Sequence, residues 1–478
     1  MENWVLKRSR ISPDQVGLVY GHQTWTFKEI AEASLRMAAA IYDVSPKLKR
    51  VAVIGGNTAD FYLLLLSLQH LAVEVVVLNS RLSLNEIEQQ VTISEPDLVI
   101  YESPYEQKVA AVRTPKVVLG NWQEPDLTDF APVGQIESWQ VATIMFTSGT
   151  TGTPKGVKQT FGNHLASAIG SVLNLGMLPS DKWLLAVPLY HISGYSMLIK
   201  SLLYGNTVYL VEKFDPRLIG ELAASVNITH ISLVPTMLAA LLKEPDFLKG
   251  ESLRCLLLGG APLSASLLAQ SEEANLPVIQ SFGMTETASQ VLALNSRDAK
   301  RKRGSSGQPL LPVEVRIEET ESGIGEILIK GPNLSPGYLN AEMAKTRDGF
   351  FKTGDIGYLD DEGFLYVVGR GKELIISGGE NIYPLMVENA LTLVESIKEV
   401  AVVGEEDDYW GEKVVAYVVT SDNQPLNLTA ISAQIEADLG TFKQPKIYYQ
   451  VVELPRNSLG KLQKKRLAQL DIIATYYH

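Results

Sequence analysis

Residues 141–156 read "VATIMFTSGTTGTPKG". The first six are apolar or β-branched and predict a strand. The next ten pack four threonines, one serine and three glycines around Pro154 and Lys155. Such a run sustains neither a helix nor a central strand. Beyond it, Leu165, Ala168, Ile169, Val172 and Leu173 recur at helical spacing. The polar run is therefore a loop at the end of a strand in an α/β layer, where ligands bind. Glycines let the backbone approach closely, and exposed N–H groups with threonine hydroxyls can cradle phosphate oxygens. A Walker A loop requires G-x-x-x-x-G-K-[ST]. Counted from Gly149, the second glycine position holds Pro154, and Lys155 is followed by Gly156. A P-loop kinase or ATPase is excluded on that ground.

Working outward, strand and helix patterns alternate. "VAVIGG" from Val51, "VEVVVLN" from Val73 and "PDLVIYE" from Pro96 read as strands with helices between them. A second set follows in "WLLAVPL", "NTVYLVE", "ITHISLVP" and "LRCLLLGG". This order predicts two parallel α/β sheets with covering helices. From Val313 the pattern changes to short strands and turns, "VEVRIEE", "GEILIKG" and "GFLYVVG", which predict a small β-rich unit. After "GRGKELIISGGENIYP" the remaining residues read as a compact α+β domain, with a helix over 428–439. The expected domains are residues 1–371 and 372–478, divided within 369–372.

Length and composition agree with this. A chain of 478 residues, 46% hydrophobic, holds two or three domains with sizeable cores. The net charge of -12 argues against nucleic acid as a partner, so a phosphate ligand must be held by local groups. The single cysteine, Cys255, rules out a disulfide within the chain and fits a reducing compartment. Set in "LRCLLLGG", it reads as a small core residue. "MENWVLKRSR" lacks the apolar stretch of a signal peptide. "FYLLLLSLQHLAVEVVVL" is interrupted by Gln69, His70 and Glu74, so it reads as a buried helix and a strand, not a membrane span. A soluble, cytoplasmic protein is expected.

Four further segments stand out. "SFGMTET" (281–287) follows a strand-like run and offers a glycine, hydroxyls and Glu286. "KTGDIGYLD" places Asp355 in what reads as a tight turn, suited to a ribose diol. "GRGKELIISGGENIYP" joins two domains, and "LPRNSLGKLQKK" puts Lys461 in a polar loop near the C-terminus. Alone, each is weak. Together and in this order they resemble the adenylate-forming superfamily of acyl-CoA synthetases, peptide-synthetase adenylation domains and firefly luciferase, over essentially the whole chain.

The resemblance implies a large N-terminal domain of two α/β sheets and a small β-barrel, with a smaller mobile C-terminal domain. It also implies a two-step reaction. A carboxylate attacks the α-phosphorus of ATP, pyrophosphate leaves, and a thiol then displaces AMP from the acyl-adenylate. Both steps concentrate negative charge, so positioning and electrostatics dominate. By the same resemblance, Thr147, Ser148, Gly149, Thr150, Thr151, Gly152 and Lys155 surround the β- and γ-phosphates. Thr285 bonds the α-phosphate, and Glu286 holds Mg²⁺, a hard cation that prefers oxygen. Gly259, Gly260, Ala261, Ser281, Phe282, Gly283 and Met284 line the nucleotide site, with Phe282 as an aromatic wall. Asp355 and Arg370 take the ribose hydroxyls. His191, in "PLYHISG", stands at the mouth of the acyl pocket, the alternative being a core histidine satisfied by backbone. Lys461 bridges the carboxylate and α-phosphate in the first step. Lys372 is the hinge, and Ser377, Gly378, Gly379 and Glu380 enter after rotation to help form the CoA channel.

Within the superfamily, "IMFTSGTTGTPKGVKQTFGNH", "PLYHISG", "SFGMTETASQ" and "LIISGGENIYP" resemble the o-succinylbenzoate–CoA ligases of menaquinone biosynthesis. "QTFGNH" and "TETASQ" are the most branch-like pieces. This implies an aromatic dicarboxylic acid, ATP and CoA as small-molecule substrates, and leaves room for a homodimer. One carboxylate of such an acid reacts, and the other needs a cation, because an unpaired buried charge is costly. Lys200, nine residues after His191 in an apolar helical run, is the candidate, with Ser196 a turn before it and Ser289 also at the substrate. Alternatively, Lys200 snorkels from a helix flank to solvent. The rival functions are another aryl- or fatty-acyl-CoA ligase, an adenylation protein loading a carrier protein, and a non-catalytic nucleotide-binding paralogue.

Overall fold

A computed structural model describes the chain except residues 123, 124, 126, 128, 129, 148–152, 245–251, 262, 296, 319, 321, 322, 379, 422, 423, 458 and 459. Ser148, Gly149, Thr150, Thr151, Gly152 and Gly379 therefore lie outside the described residues.

The strand Arg50–Ile54 has the parallel neighbours Glu74–Val77 and Leu98–Tyr101, and Val141–Thr147 pairs in parallel with Glu74–Val77. These belong to a seven-stranded sheet. The stretch 141–156 is not a strand, a loop and then a helix, because a further strand intervenes. Lys155–Thr160 pairs antiparallel with Val141–Thr147 and sets Lys155 opposite Thr147. The two-residue strand Gly337–Tyr338 caps that edge against Lys158 and Val157. A nine-stranded sheet contains the parallel strands Lys182–Leu185, His230–Leu233, Cys255–Leu258 and Val278–Met284. Both sheets are largely parallel, and their central strands are buried on both faces, as covering helices require.

Helix Phe161–Leu175 begins with a capping box at Thr160 and Asn163. Its apolar spacing marks the helix correctly but not its inward face. Ile169 and Leu173 are 45% and 65% exposed, while His164, Ser167, Ala168, Gly170 and Ser171 are buried. Small residues are needed inside: a Cβ on Gly170 would lie 2.7 Å from the Leu311 carbonyl oxygen. The long apolar run from Phe61 is the buried helix Ala59–Leu71 and the strand Glu74–Val77. No helix among the described residues is long and apolar enough to cross a membrane.

The β-rich unit is a four-stranded antiparallel sheet, Glu314–Ile317, Gly325–Lys330, Phe351–Leu359 and Leu365–Arg370. Its apolar face packs on Val291 and Leu292 from the strand Ser289–Ala293. It curls as a half-barrel and does not close into the expected barrel among the described residues. Asp355 lies within the strand Phe351–Leu359, not in a turn, although Gly354 before it has φ +75°. Strand pairing with Arg370 overrides the turn chemistry of "TGD".

A six-stranded sheet and the helices Pro384–Leu391 and Leu428–Leu439 make the smaller C-terminal domain. Its two apolar clusters draw only on residues from Ile375 onward. The clusters of the larger domain draw on none of these.

Candidate active site

The strand Val278–Met284 doubles back at Gly283 to pair antiparallel with Ser289–Ala293. A Cβ on Gly283 would lie 2.2 Å from the Ser289 carbonyl oxygen, so only glycine fits. The short 3-10 helix Thr285–Thr287 lies at this reversal. Each of its carbonyls is held from another element. Gln159 Nε2 donates to Thr285 O at 2.7 Å, Ser335 N to Glu286 O at 2.7 Å, and Asn333 Nδ2 to Thr287 O at 3.1 Å. The Glu286 carboxylate accepts from Tyr338 Oη at 2.9 Å, and Lys155 Nζ lies 5.0 Å from the Tyr338 ring centre. One tyrosine thus joins the lysine of the glycine-rich segment to Glu286. Tyr338, Gln159 and Asn333 escaped the sequence reading. Their signal is a tertiary contact, and a two-residue strand has no periodicity to detect. Gly283→Ala should lower stability by about 1–3 kcal/mol through overpacking and slow any chemistry at Thr285, as thermal melts and rate measurements would register.

Gly259, Gly260 and Ala261 follow the strand Cys255–Leu258, and Gly260 takes φ +82°. Ser281 Oγ donates to Leu258 O at 2.8 Å and would lie 3.2 Å from a Cβ on Gly259. Phe282 packs against the half-barrel core, and Met284 precedes the 3-10 helix. Along the ledge these backbones form, a Cβ on Gly259 would meet only Ser281 Oγ, and one on Gly260 only Val234, within 4 Å among the described residues.

Asp355 is buried and ion-paired, with Arg370 Nε 2.7 Å from Oδ1. Burial pushes its carboxyl up to about 6, against the pull of Arg370 and Lys461, while Glu286 adds to the rise. Lys461 is held on a hairpin. Its N–H donates to Asn457 Oδ1 at 2.9 Å, and Arg456 Nη1 donates to Gly460 O at 2.8 Å. A Cβ on Gly460 would lie 2.6 Å from Thr236 Oγ1, so the hairpin sits on helix Pro235–Leu241 of the larger domain. Burial, then Arg370, draws the Lys461 ammonium below its ordinary value, with Asp355 and Glu373 opposing. Lys461, Asp355, Arg370 and Glu286 therefore converge from separate parts of the chain.

Lys372 lies in the short 3-10 helix Gly371–Glu373. Beyond it, Lys464 Nζ pairs with Glu373 at 3.0 Å and Glu388 at 2.8 Å. Ser377 and Glu380 face each other in a hairpin, and Gly378, at φ +59°, donates its N–H to Trp410 O at 2.8 Å.

His191 caps helix Ile192–Tyr204 without a side-chain bond, and its Nε2 is buried with no partner. Burial lowers it to about 3, so the ring is neutral. Ser196 Oγ donates to Ser289 Oγ at 3.4 Å, and Ser289 has φ +120°. Lys200 does not snorkel. It is 1% exposed, its Nζ has no hydrogen-bond partner among the described residues, and it lies 5.9 Å from the Trp183 ring centre. Burial draws it down to about 7, while burial pushes the nearby Cys255 thiol up to about 12. The three side chains lie on one helix, with Lys200 about 13 Å along the axis from His191.

No group of three or more His, Cys, Asp or Glu that could hold a metal occurs among the described residues. Glu286 offers a single carboxylate. That donor set fits a magnesium ion whose other oxygens come from phosphates and water.

The AMP-binding enzyme domain matches residues 6–339, and the AMP-binding enzyme C-terminal domain matches 386–461. A 2-succinylbenzoate–CoA ligase of Listeria monocytogenes is 43% identical over 480 residues, covering 98% of this chain and 99% of that one. Among solved structures, o-succinylbenzoate CoA synthetase from Bacillus subtilis in complex with the acyl-adenylate intermediate OSB-AMP is 38% identical, with a TM-score of 0.89 and 99% of both chains covered. Its complex with ATP and magnesium ion scores 0.88, covering 98% and 99% at 38% identity. A double mutant bound with the product analogue OSB-NCoA scores only 0.73, although identity is again 38% and coverage 99% of both chains. Matched along both its domains and clustering Lys461, Asp355, Arg370 and Glu286 at one place, the chain belongs to the AMP-binding enzyme family.

Proposed function

We propose that the protein is an ATP-dependent acid–CoA ligase. It activates 2-succinylbenzoate as the acyl-adenylate, releases pyrophosphate and transfers the acyl group to CoA, in menaquinone biosynthesis. ATP and Mg²⁺ serve the first step and CoA is the acceptor. The observation that carries the reading is the convergence of Lys461 with Asp355, Arg370 and Glu286.

The residues divide the work. Lys155 and Thr147 flank the loop for the β- and γ-phosphates, joined by residues 148–152. Thr285 takes the α-phosphate, and Glu286 would hold magnesium, which supplies charge neutralisation on the phosphates. The Gly259–Ala261 ledge and Ser281–Met284 receive adenine, with Phe282 as its wall. Asp355 and Arg370 hold the ribose. Lys461 places its charge between the carboxylate and the α-phosphate, a role that suits a flexible point charge. Neutral His191 lines the acyl entrance, with Ser289 beside it, and Lys200 reads the second carboxylate. The functional boundary falls at 371/372, and Ser377–Glu380 forms the thiol channel after rotation. The fold agrees more closely with the ATP and acyl-adenylate complexes of the Bacillus enzyme than with its product-analogue complex, which supports assigning this arrangement to the first half-reaction. All named side chains come from one chain, so a homodimer would hold two complete sites. ATP and CoA place the reaction in the cytoplasm.

Pyrophosphate exchange across a panel of carboxylic acids tests the reading, followed by thioester formation with CoA and no carrier protein. Absence of exchange with every acid would leave a binding protein. Exchange without CoA thioester would leave a carrier-loading enzyme, and a preference for benzoate or fatty acids would leave another acyl-CoA ligase.

Lys372→Pro should affect the two half-reactions unequally. Proline fixes φ near -65°, and a pivot with two backbone states loses one of them. Equal and unchanged rates for adenylation and thioesterification would move the hinge elsewhere.

A further inference from the structure

The segment "QTFGNH" has no role in the chemistry above, yet Gln159 and His164 are buried at its two ends. They belong to a chain of hydrogen bonds whose direction is fixed. The Thr285 carbonyl can only accept, so Gln159 must present Nε2 to it, at 2.7 Å. Gln159 Oε1 then faces Thr143 Oγ1 at 2.6 Å and takes that hydroxyl's single proton. Thr143 Oγ1 must in turn accept from His164 Nε2, at 3.0 Å, which puts the ring proton on Nε2. His164 Nδ1 has no partner, and burial holds the ring neutral, at about 3. Gln159 and Thr143 are 0% exposed, so water does not compete. At the far end the His164 ring packs 5.2 Å from Tyr195, one residue before Ser196.

We propose that Gln159, backed by Thr143 and His164, is a positioning residue that sets the Thr285–Glu286 backbone for adenylation. This rests on the reading of Thr285 and Glu286 given above. An amide can present either end. With the Thr143 hydroxyl in place only one orientation satisfies all the groups. Without it, Gln159 Oε1 is left buried with its donor gone, and the amide is free to swing off the Thr285 carbonyl. The chain also spans three elements: the strand Val141–Thr147, the strand that begins at Lys155, and the helix Phe161–Leu175. Small shifts of the strand Lys155–Thr160 and of the Thr285 turn are therefore coupled.

Thr143→Val keeps the shape and deletes the donor, and Thr143→Ser restores it. The full-length enzyme is assayed by pyrophosphate exchange at varied magnesium, by calorimetric binding of a non-reactive sulfamoyl analogue of the acyl-adenylate, and by thermal melts. Thr143→Val and Gln159→Met should each lower kcat of adenylation by about 10–100-fold, raise the magnesium needed for half-maximal rate and weaken the analogue by about tenfold. KM for 2-succinylbenzoate should stay within about twofold, and Thr143→Ser should recover most of the rate. If Thr143→Val does not fold, Gln159→Met against the parent carries the same test. A variant that melts lower but keeps parental kcat, magnesium dependence and analogue affinity overturns the proposal and leaves an ordinary core network. Thr285→Ala separates the two readings. If it adenylates normally, the role of the turn itself is wrong. If it is slow while the Thr143 and Gln159 variants are not, only the positioning chain is wrong.

Discussion

Lys461→Ala is expected to reduce adenylation by about 10²–10³-fold or more while largely sparing thioester formation from supplied acyl-AMP. The lysine sits at the tip of a hairpin clamped by Asn457 and Arg456, and the hairpin rests on Thr236. Its charge acts on Asp355 across the junction of the domains. A preorganised cation of this kind counts most where negative charge accumulates, as it does when a carboxylate closes on the α-phosphorus. In the second step a thiolate displaces AMP, and on the proposed rotation the hairpin withdraws with the smaller domain. Separate assays of pyrophosphate exchange and of CoA acylation from synthetic acyl-AMP check the split. Equal damage to both steps would mean that Lys461 stays in the site throughout.

Lys200→Met should raise KM for 2-succinylbenzoate by an amount equivalent to about 2–5 kcal/mol and leave KM for ATP nearly unchanged. An ammonium buried without a partner is costly unless an anion joins it. Nothing else around Lys200 supplies one: the Cys255 thiol is pushed up to about 12 and stays protonated, and the Trp183 face is a weak partner. On the function proposed above, the second carboxylate of the substrate supplies the missing charge. An analogue with hydrogen in place of that carboxylate should bind Lys200→Met at least as well as the parent. A loss shared by substrate and analogue would assign Lys200 to the fold alone.

The sign of the pH dependence follows. In the free enzyme Lys200 titrates at about 7, and an anionic partner raises that value. Substrate binding therefore takes up a proton above pH 7. KM for 2-succinylbenzoate should be flat below that pH and rise above it, by up to about tenfold per unit. In the unfolded chain the ammonium returns to its ordinary value of 10.5, so the unfolded state binds the extra proton between pH 7 and 10.5. The cost to the apo fold is then full below pH 7 and relieved as pH rises. Lys200→Met should accordingly melt higher than the parent below pH 7, even as it binds substrate worse.

Much of this was written in local pattern. The strand before 148–152, those from Val51 to Pro96 and those from Trp183 to Gly260 follow from β-branched runs between turn residues, while the strand Lys155–Thr160 carries no such run. What escaped depends on partners far along the chain. "TGD" carries turn residues, yet pairing with Arg370 keeps Asp355 in a strand. Ile169 and Leu173 fit a helical stripe, but the tight approach of Leu311 to Gly170 turns that stripe outward. A lysine in an apolar helix reads equally as surface or interior until the packing around it is known, and Lys200 is interior. Tyr338 joins Lys155 to Glu286 through a strand too short to leave a pattern.

Among the described residues, no apolar cluster is shared between those up to Val367 and those from Ile375 onward. Hydrophobic cohesion therefore holds each part together separately, and what joins them across this gap is the covalent chain with polar and close-packed surface contacts. A turnover that swings the small part need not open either interior, so its barrier is set by surface desolvation and hinge torsion and not by melting. Mutations that harden one core should leave the swinging rate alone.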